Sequence, residues 1–258
     1  MTQPVLTGRR VLITGGGSGV GADLARGFAT AGAEVVIVGR RLAALQSVAS
    51  ALSGSRAGPA VTTVMTLTAD VTDEDSVTGM FASAGACDIV IANAGAADSA
   101  PFTRTTVAQW NALIAVNLTG VFLTLREGLR QMSGWGRLIV IASIAGLKGA
   151  RYVAPYVAAK HGAVGLTRAL ALEVADRPVT VNALCPGYID TPMTDQSVAS
   201  IAAKTGRDPH QVRAMLAAAN PQGRLIAPAE VTAAALWLCA PGSEGVNGQA
   251  IAITGGEG

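Results

Sequence analysis

The 258-residue chain is long enough to bury a full hydrophobic core in one domain, so it needs neither disulfides nor a metal to hold it together. Hydrophobic residues make up 50% and charged residues 14%, against roughly 25% charged in an average soluble domain, and the mean hydropathy is +0.42. Most of the chain is therefore hidden from water, in its own core or against copies of itself. With 19 Lys and Arg against 17 Asp and Glu the net charge is +2, and no stretch concentrates basic residues as a nucleic-acid groove does.

Residues Met1 to Gly8 hold no apolar stretch before a cleavage site, so no signal peptide is read there. Short, apolar, β-branched runs follow at Arg10 to Thr14, Val35 to Val38, Val64 to Leu67, Ile89 to Ala92, Leu138 to Ala142, Val179 to Leu184 and Ala250 to Ile253. They read as strands covered on both faces. Helical patterns alternate with them at Gly19 to Ala31, Leu42 to Leu52, Asp73 to Ala84, Val107 to Met132, Tyr156 to Ala175 and Ala229 to Cys239. This order predicts an α/β fold, a seven-stranded doubly wound parallel sheet with helices on both faces, in a single domain over 1–258.

Thr105 to Leu125 runs 21 residues without a charge. Gln109, Asn111, Asn117 and four threonines would be costly in lipid, so a buried helix is expected there and no membrane span. Ser53 to Thr63 reads as a surface loop. Residues 192–228 hold two short helical patterns, Asp195 to Lys204 and Pro209 to Ala219, and read as a substrate lid. Cys87, Cys185 and Cys239 sit in apolar runs without metal spacing and read as buried thiols in a reducing, cytoplasmic setting.

Between the first strand and first helix lies Thr14-Gly15-Gly16-Gly17-Ser18-Gly19-Val20-Gly21. Glycines let backbone approach a pyrophosphate, and the free N–H groups of the helix start face the anion, so Gly15, Ser18, Gly19, Val20 and Gly21 are candidate dinucleotide contacts. The plain alternative is a tight turn with no ligand. Past the second strand come Gly39, Arg40 and Arg41, two guanidinium groups and no acid, which favours a 2′-phosphate over free ribose hydroxyls. Two solvent-facing arginines at a helix start are the alternative. Asp70, followed by Val71, can accept from an adenine amino group or merely begin a helix.

Tyr156 and Lys160 are four apart in a helical segment and share a face. A phenol, with a reference pKa of about 10, needs a nearby cation before it works at neutral pH, and Lys160 can be that cation. Ser143, past the fifth strand, can donate to a substrate oxygen. Tyr and Lys at this spacing also occur by chance in many helices. His161 and His210 are isolated, and no metal site is expected. His161, next to Lys160 in the helix, points about 100° away and is expected in packing or a subunit contact.

Taken together, the glycine turn, Asp70, Asn93-Ala94-Gly95, Asn117, Ser143, Tyr156-Val-Ala-Ala-Lys160 and Pro186-Gly187-Tyr-Ile189-Asp-Thr191 resemble the short-chain dehydrogenase/reductase family almost end to end. The resemblance implies a Rossmann-type fold and hydride transfer between a nicotinamide dinucleotide and a carbonyl or alcohol substrate. It also implies that Tyr156 is the acid or base and Ser143 orients the carbonyl. Lys160 would bind the nicotinamide ribose and lower the Tyr156 pKa, and Asn117 would hold a water linking Lys160 to solvent. Asn93, Ala94 and Gly95 would line the adenosine side, and Pro186, Gly187, Ile189 and Thr191 would pass the nicotinamide.

Position 18 departs from the pattern, being Ser where many NADPH-preferring relatives place a basic residue. NADP(H) is the expected cofactor, with NAD(H) the alternative. The expected activity is that of a ketone reductase. The runner-up is an NAD-linked dehydrogenase of a hydroxyacyl thioester or hydroxy acid, met by Lys148, Arg151, Lys204, Arg207 and Arg213, and a non-catalytic dinucleotide-binding regulator is a distant third. Few charges on the long helices, an apolar carboxyl end and the resemblance imply a homotetramer, with a dimer second.

Overall fold

The computed structural model describes residues 6–54 and 64–257. Its strands are β1 (Arg10–Thr14), β2 (Glu34–Gly39), β3 (Val64–Thr68), β4 (Ile89–Ala92), β5 (Gly136–Ile141), β6 (Val179–Pro186) and β7 (Ala250–Ile253). They form one seven-stranded sheet, all parallel, in the order β3-β2-β1-β4-β5-β6-β7. This is the expected Rossmann-type arrangement. The order reverses between β1 and β4, and in such sheets the crevice at the carboxyl ends of the two strands on either side of the reversal binds ligand.

The period of two along β1 separates the two cores. Val11 and Ile13 face Leu24 and Phe28 of α1 (Gly19–Thr30), Leu45 of α2 (Leu42–Gly54) and Leu238 of α9 (Pro228–Cys239). Leu12 faces the other way, into a core built with Phe81 of α3 (Glu74–Ala84), Leu125 of α5 (Gly120–Gln131) and Val164 of α6 (Ala154–Glu173). Between β6 and α9 run α7 (Pro192–Thr205) and α8 (Pro209–Ala219), which meet over a small apolar cluster of their own, Val198, Val212 and Leu216.

The segment Val107 to Met132, expected as one helix, is helical without interruption to Gln131 but not regular. It starts as α4 (Val107–Ile114), widens into a π-helical turn over Ala115–Thr119 and resumes as α5. The reason is Asn117, which is fully buried: its Nδ2 donates to the Leu113 carbonyl at 3.0 Å and to Ala96 O at 2.8 Å, so the side chain competes inside the helical ladder. By length and hydropathy the stretch Val107–Gln131 has the character of a membrane span, yet half of its most apolar window is buried within the protein.

Other boundaries shift by a few residues. Helices α6, α7 and α9 begin at or beside Pro155, Pro192 and Pro228, because a proline in the first turn forfeits no helical hydrogen bond. The start of α7 therefore precedes the expected Asp195. The expected Ser53 to Thr63 loop begins inside α2, which runs to Gly54, and the rest lies outside the described residues.

Helix α5 lies close on β4 because Gly128 has no side chain; a Cβ there would stand 2.9 Å from Val90 Cγ2. Gly128→Ala is expected to destabilise the fold by about 1–3 kcal/mol through overpacking, lowering the thermal midpoint by several degrees in a calorimetric scan.

Candidate active site

At the carboxyl ends of β1 and β4 a buried hydroxyl ties two connections together. Thr14 Oγ1 accepts from the backbone N–H of Asn93 (3.0 Å) and of Ala94 (3.1 Å), while Asn93 Nδ2 donates to Thr14 O at 2.8 Å and Gly15 O at 3.3 Å. The glycine turn is thus braced from beneath by Asn93. Gly15 and Gly19 hold φ of 68° and 53°, and a Cβ at Gly21 would come within 2.2 Å of Gly15 O. Ser18 precedes α1 without a capping hydrogen bond, and no acid stands in the first turn, so its N–H groups are open to an anion; Val20 packs into the core. A turn in which a Cβ at Gly15, Gly16 or Gly21 would collide with the fold, ending on an uncapped helix, fits a dinucleotide pyrophosphate.

Just past β2, Arg40 and Arg41 are both exposed, and neither has an ion-pair partner among the described residues. A Cβ at Gly39 would meet only Leu45, at 3.5 Å. Asp70 does not cap α3; Asp73 does, accepting from Ser76 N. One Asp70 oxygen instead accepts from Thr72 N at 2.9 Å and Thr72 Oγ1 at 2.8 Å, and these bonds hold its carboxyl below the usual range. Val71 is buried against Gly120 at the start of α5.

Ser143, Tyr156 and Lys160 come together between the end of β5 and the first turns of α6. The Ser143 hydroxyl accepts from Ala145 N at 3.1 Å and hydrogen-bonds Tyr156. Burial pushes the Tyr156 phenol above its ordinary value, and the bond to Ser143 is the contribution that opposes it. Lys160 is only 3% exposed; its Nζ donates to Ile141 O at 2.9 Å and lies 5.6 Å from the centroid of the Tyr156 ring. Burial lowers its pKa to about 8. The ammonium is directed at a main-chain carbonyl in this arrangement.

Asn117 is likewise committed to backbone: Oδ1 accepts from Ala96 N at 3.2 Å in addition to the two Nδ2 bonds. Gly95 lets the β4–α4 connection approach, since a Cβ there would lie 2.9 Å from Asn117 Oδ1 and 3.8 Å from Lys160 Nζ. Sequence reasoning missed Thr14, the polar residue closing an apolar strand, and Cys185. The Cys185 thiol is buried at the end of β6, accepts from the Ser143 N–H and is pushed up to about 11, so it stays neutral beside Lys160.

The segment after β6 is held by another missed residue. Asn220, fully buried, accepts from Tyr188 N (3.1 Å) and donates to Tyr188 O (3.0 Å) and Arg224 O (2.7 Å). Gly187 is required beside it, since a Cβ would stand 2.3 Å from Asn220 Oδ1. Pro186 closes β6, Ile189 bridges to Ile226, and Thr191 caps α7 while its methyl group faces Gly19 of the glycine turn. The end of α7 reaches the opposite wall, where Lys204 Nζ donates to Ser99 O at 2.8 Å. That wall joins the connection after β5 through Ala100 N and Tyr152 O at 2.8 Å.

Tyr152 has φ of 68°, and among the described residues it is the one non-glycine with positive φ, a conformation that costs about 1–2 kcal/mol. His161 Nδ1 lies 3.0 Å from Val157 O and the ring is exposed; His210 is exposed on α8. Among the described residues no group of three His, Cys, Asp or Glu is placed to hold a metal.

The short chain dehydrogenase family model matches residues 9–202. The chain belongs to the short chain dehydrogenase family. Among family relatives, the D-beta-hydroxybutyrate dehydrogenase of Rhizobium meliloti (strain 1021) is 35% identical over 96% of this chain and 98% of its own. The cis-4-hydroxycyclohexanecarboxylate dehydrogenase of Sinomonas cyclohexanicum is 39% identical over 96% of each. A crystal structure of an actinorhodin polyketide ketoreductase with NADPH superposes with a TM-score of 0.89 at 31% identity, covering 97% of both chains. This short chain dehydrogenase is accordingly an oxidoreductase acting between hydroxyl and carbonyl groups.

The buried Lys160 sets a pH signature. Its pKa is depressed on folding, so its contribution to stability is fully present above the unfolded value, about 10.4, and is lost as pH falls to about 8. Lys160→Met is therefore expected to lose activity yet match or exceed the wild-type thermal midpoint at pH 7. That advantage should shrink between pH 8 and 10 in denaturation scans.

Proposed function

We propose that the chain is an NADP(H)-dependent reductase of ketones, working in reverse on secondary alcohols. The observation that carries the cofactor choice is the end of β2, where Gly39 offers no carboxylate and Arg40 and Arg41 are exposed and unpaired. A 2′-phosphate pairs with guanidinium through short, charge-assisted hydrogen bonds, which a ribose hydroxyl cannot match. When bound, the nicotinamide ring exchanges a hydride with the substrate carbon. The chain's own groups then handle the proton. Tyr156, kept protonated by burial, gives its phenolic proton to the carbonyl oxygen, and Ser143 Oγ–H steadies that oxygen. Lys160 holds positive charge 5.6 Å from the centroid of the Tyr156 ring and would offer donors to a ribose.

A hydroxy-acid dehydrogenase is the second reading, favoured by the likeness to D-beta-hydroxybutyrate dehydrogenase. Against it, several cations around the crevice already have partners in the chain. Arg213 pairs with Asp190 and Asp195, Lys148 with Glu257, and Lys204 with Ser99 O. Val107, Phe122, Leu172 and Trp237 lie exposed on helices, which supports a homotetramer, and three buried free thiols support a reducing cytoplasmic setting.

Three substitutions test this reading. Tyr156→Phe should cut kcat by roughly 10²–10⁴-fold with little change in cofactor binding. Arg40→Ala should weaken NADP(H) by about 10- to 150-fold, and NAD(H) far less, in parallel titrations. Gly39→Asp, for which there is room, should invert the preference. Equal weakening of both cofactors by Arg40→Ala, or tighter wild-type binding of NAD(H), would assign the arginines to solvent.

A further inference from the structure

Helix α8 meets the segment after β6 through one polar residue that the chemistry of Ser143, Tyr156 and Lys160 leaves unexplained. Asn220 follows α8 as its cap and is fully buried, its N–H donating to Ala217 O at 3.2 Å and its carbonyl accepting from Gly223 N–H at 2.7 Å. The side-chain amide treats Tyr188 as a neighbouring strand would. It accepts from the Tyr188 N–H at 3.1 Å and donates to the Tyr188 carbonyl at 3.0 Å, while a further bond runs to Arg224 O at 2.7 Å. Only an amide side chain offers an acceptor and two donors on separate atoms in this way. Burying one costs free energy unless it is bonded, and the cohesion of α7 and α8 does not call for it, since they meet over Val198, Val212 and Leu216.

The backbone that this amide fixes links the two ends of the site. Gly187 approaches so closely that a Cβ there would stand 2.3 Å from Asn220 Oδ1, and its N–H donates to Ile253 O at 3.0 Å. Tyr188 lies near enough to the Tyr156 phenol to influence it electrostatically. Three residues on, Thr191 Cγ2 would lie 3.3 Å from a Cβ at Gly19 of the glycine turn. The segment thus runs from the proton donor to the start of α1. Two more ties, Ile226 N–H to Tyr188 O at 2.8 Å and Asp190 N–H to Ile226 O at 2.9 Å, reach it from the chain just beyond Asn220.

We propose that Asn220 is a positioning residue for the cofactor: by fixing the backbone of residues 187–191 it sets the hold on the nicotinamide half of a bound dinucleotide, without touching the reacting atoms. This rests on the dinucleotide-dependent oxidoreductase reading, and not on the choice between phosphorylated and unphosphorylated cofactor. On that reading the adenosine half meets the glycine turn and the end of β2, which the Asn220 amide does not touch. Removing the amide takes this partner from Tyr188 N–H and Arg224 O, while Tyr188 O keeps Ile226 N–H. The segment loosens locally and the sheet beneath it stays.

The test is calorimetric titration of NADPH and of its fragment adenosine 2′,5′-bisphosphate on wild type, Asn220→Ala, Asn220→Asp and Val212→Ala. Wild type should bind NADPH at least tenfold more tightly than the bisphosphate. Both Asn220 variants should lose about tenfold for NADPH and less than about twofold for the bisphosphate. Val212→Ala, which opens a cavity in the cluster shared by α7 and α8, should lower the thermal midpoint yet keep the ratio of the two affinities within about twofold of wild type. Equal weakening of both ligands in the Asn220 variants, unchanged NADPH binding, or a selective loss in Val212→Ala as large as theirs would overturn the proposal. So would a wild type that gains nothing from the nicotinamide half, or failure of both Asn220 variants to bind the bisphosphate, which would make Asn220 a residue of the fold. Tighter wild-type binding of NADH than of NADPH would overturn the cofactor choice alone, and the same comparison is then made with NADH and AMP. Binding as expected, with no turnover of any ketone, would leave the positioning role standing while the reductase reading falls.

Discussion

Lys160 places an ammonium group where water scarcely reaches, between the ends of β4 and β5, and much of the local architecture answers to it. Burial costs the charged form several kcal/mol unless polar groups replace the lost solvent. Here a carbonyl is left for the ammonium where β5 gives way to the turn beginning at Ile144, and Ile141 O accepts a hydrogen bond from Lys160 Nζ at 2.9 Å. Gly95 and Asn117 crowd in from the other side, close enough that no side chain fits at position 95. The compensation is incomplete, which is why the pKa falls to about 8. A residue that weakens the fold at neutral pH is retained at the floor of a crevice, the usual signature of function set against stability.

The same strand ends carry the rest of the site. Thr14 and Asn93 bind the first turn to the fourth strand, so the glycine cradle and the wall beside Lys160 move as one piece. Asn220 does the equivalent for the segment after β6, fixing Tyr188 and bringing Thr191 against Gly19. Helices α7 and α8 share a small apolar cluster, Arg213 of α8 pairs with Asp190 and Asp195, and α7 reaches the opposite wall through Lys204.

The sheet was legible in the sequence because parallel strands buried on both faces must be apolar at every position, as in Val11-Leu12-Ile13 or Ile89-Val90-Ile91. The glycine turn and the Tyr156 to Lys160 pair were legible because their spacing is local. What escaped depends on contacts distant in sequence. Asn117 sits in the widened turn of its helix and bonds Ala96, 21 residues earlier, and Thr14 finds its partners 79 and 80 residues on. Lys160 was legible as a cation on the same helix face as Tyr156, but the carbonyl it bonds belongs to Ile141, which no spacing within α6 reveals. The positive φ of Tyr152 has no sequence signal, because the residue type argues against it.

The account turns on a buried, destabilised ammonium, and that is directly measurable. The chain has only three lysines, Lys148, Lys160 and Lys204, so a 13Cε-lysine NMR titration from pH 6 to 11 resolves each, with Lys160 assigned by its absence in Lys160→Met. The Lys160 signal should titrate with a midpoint near pH 8. A midpoint at or above the ordinary lysine value of about 10.4 would contradict the account, since it would mean that the ammonium is solvated or fully paired and that the site floor is not the low-dielectric environment described.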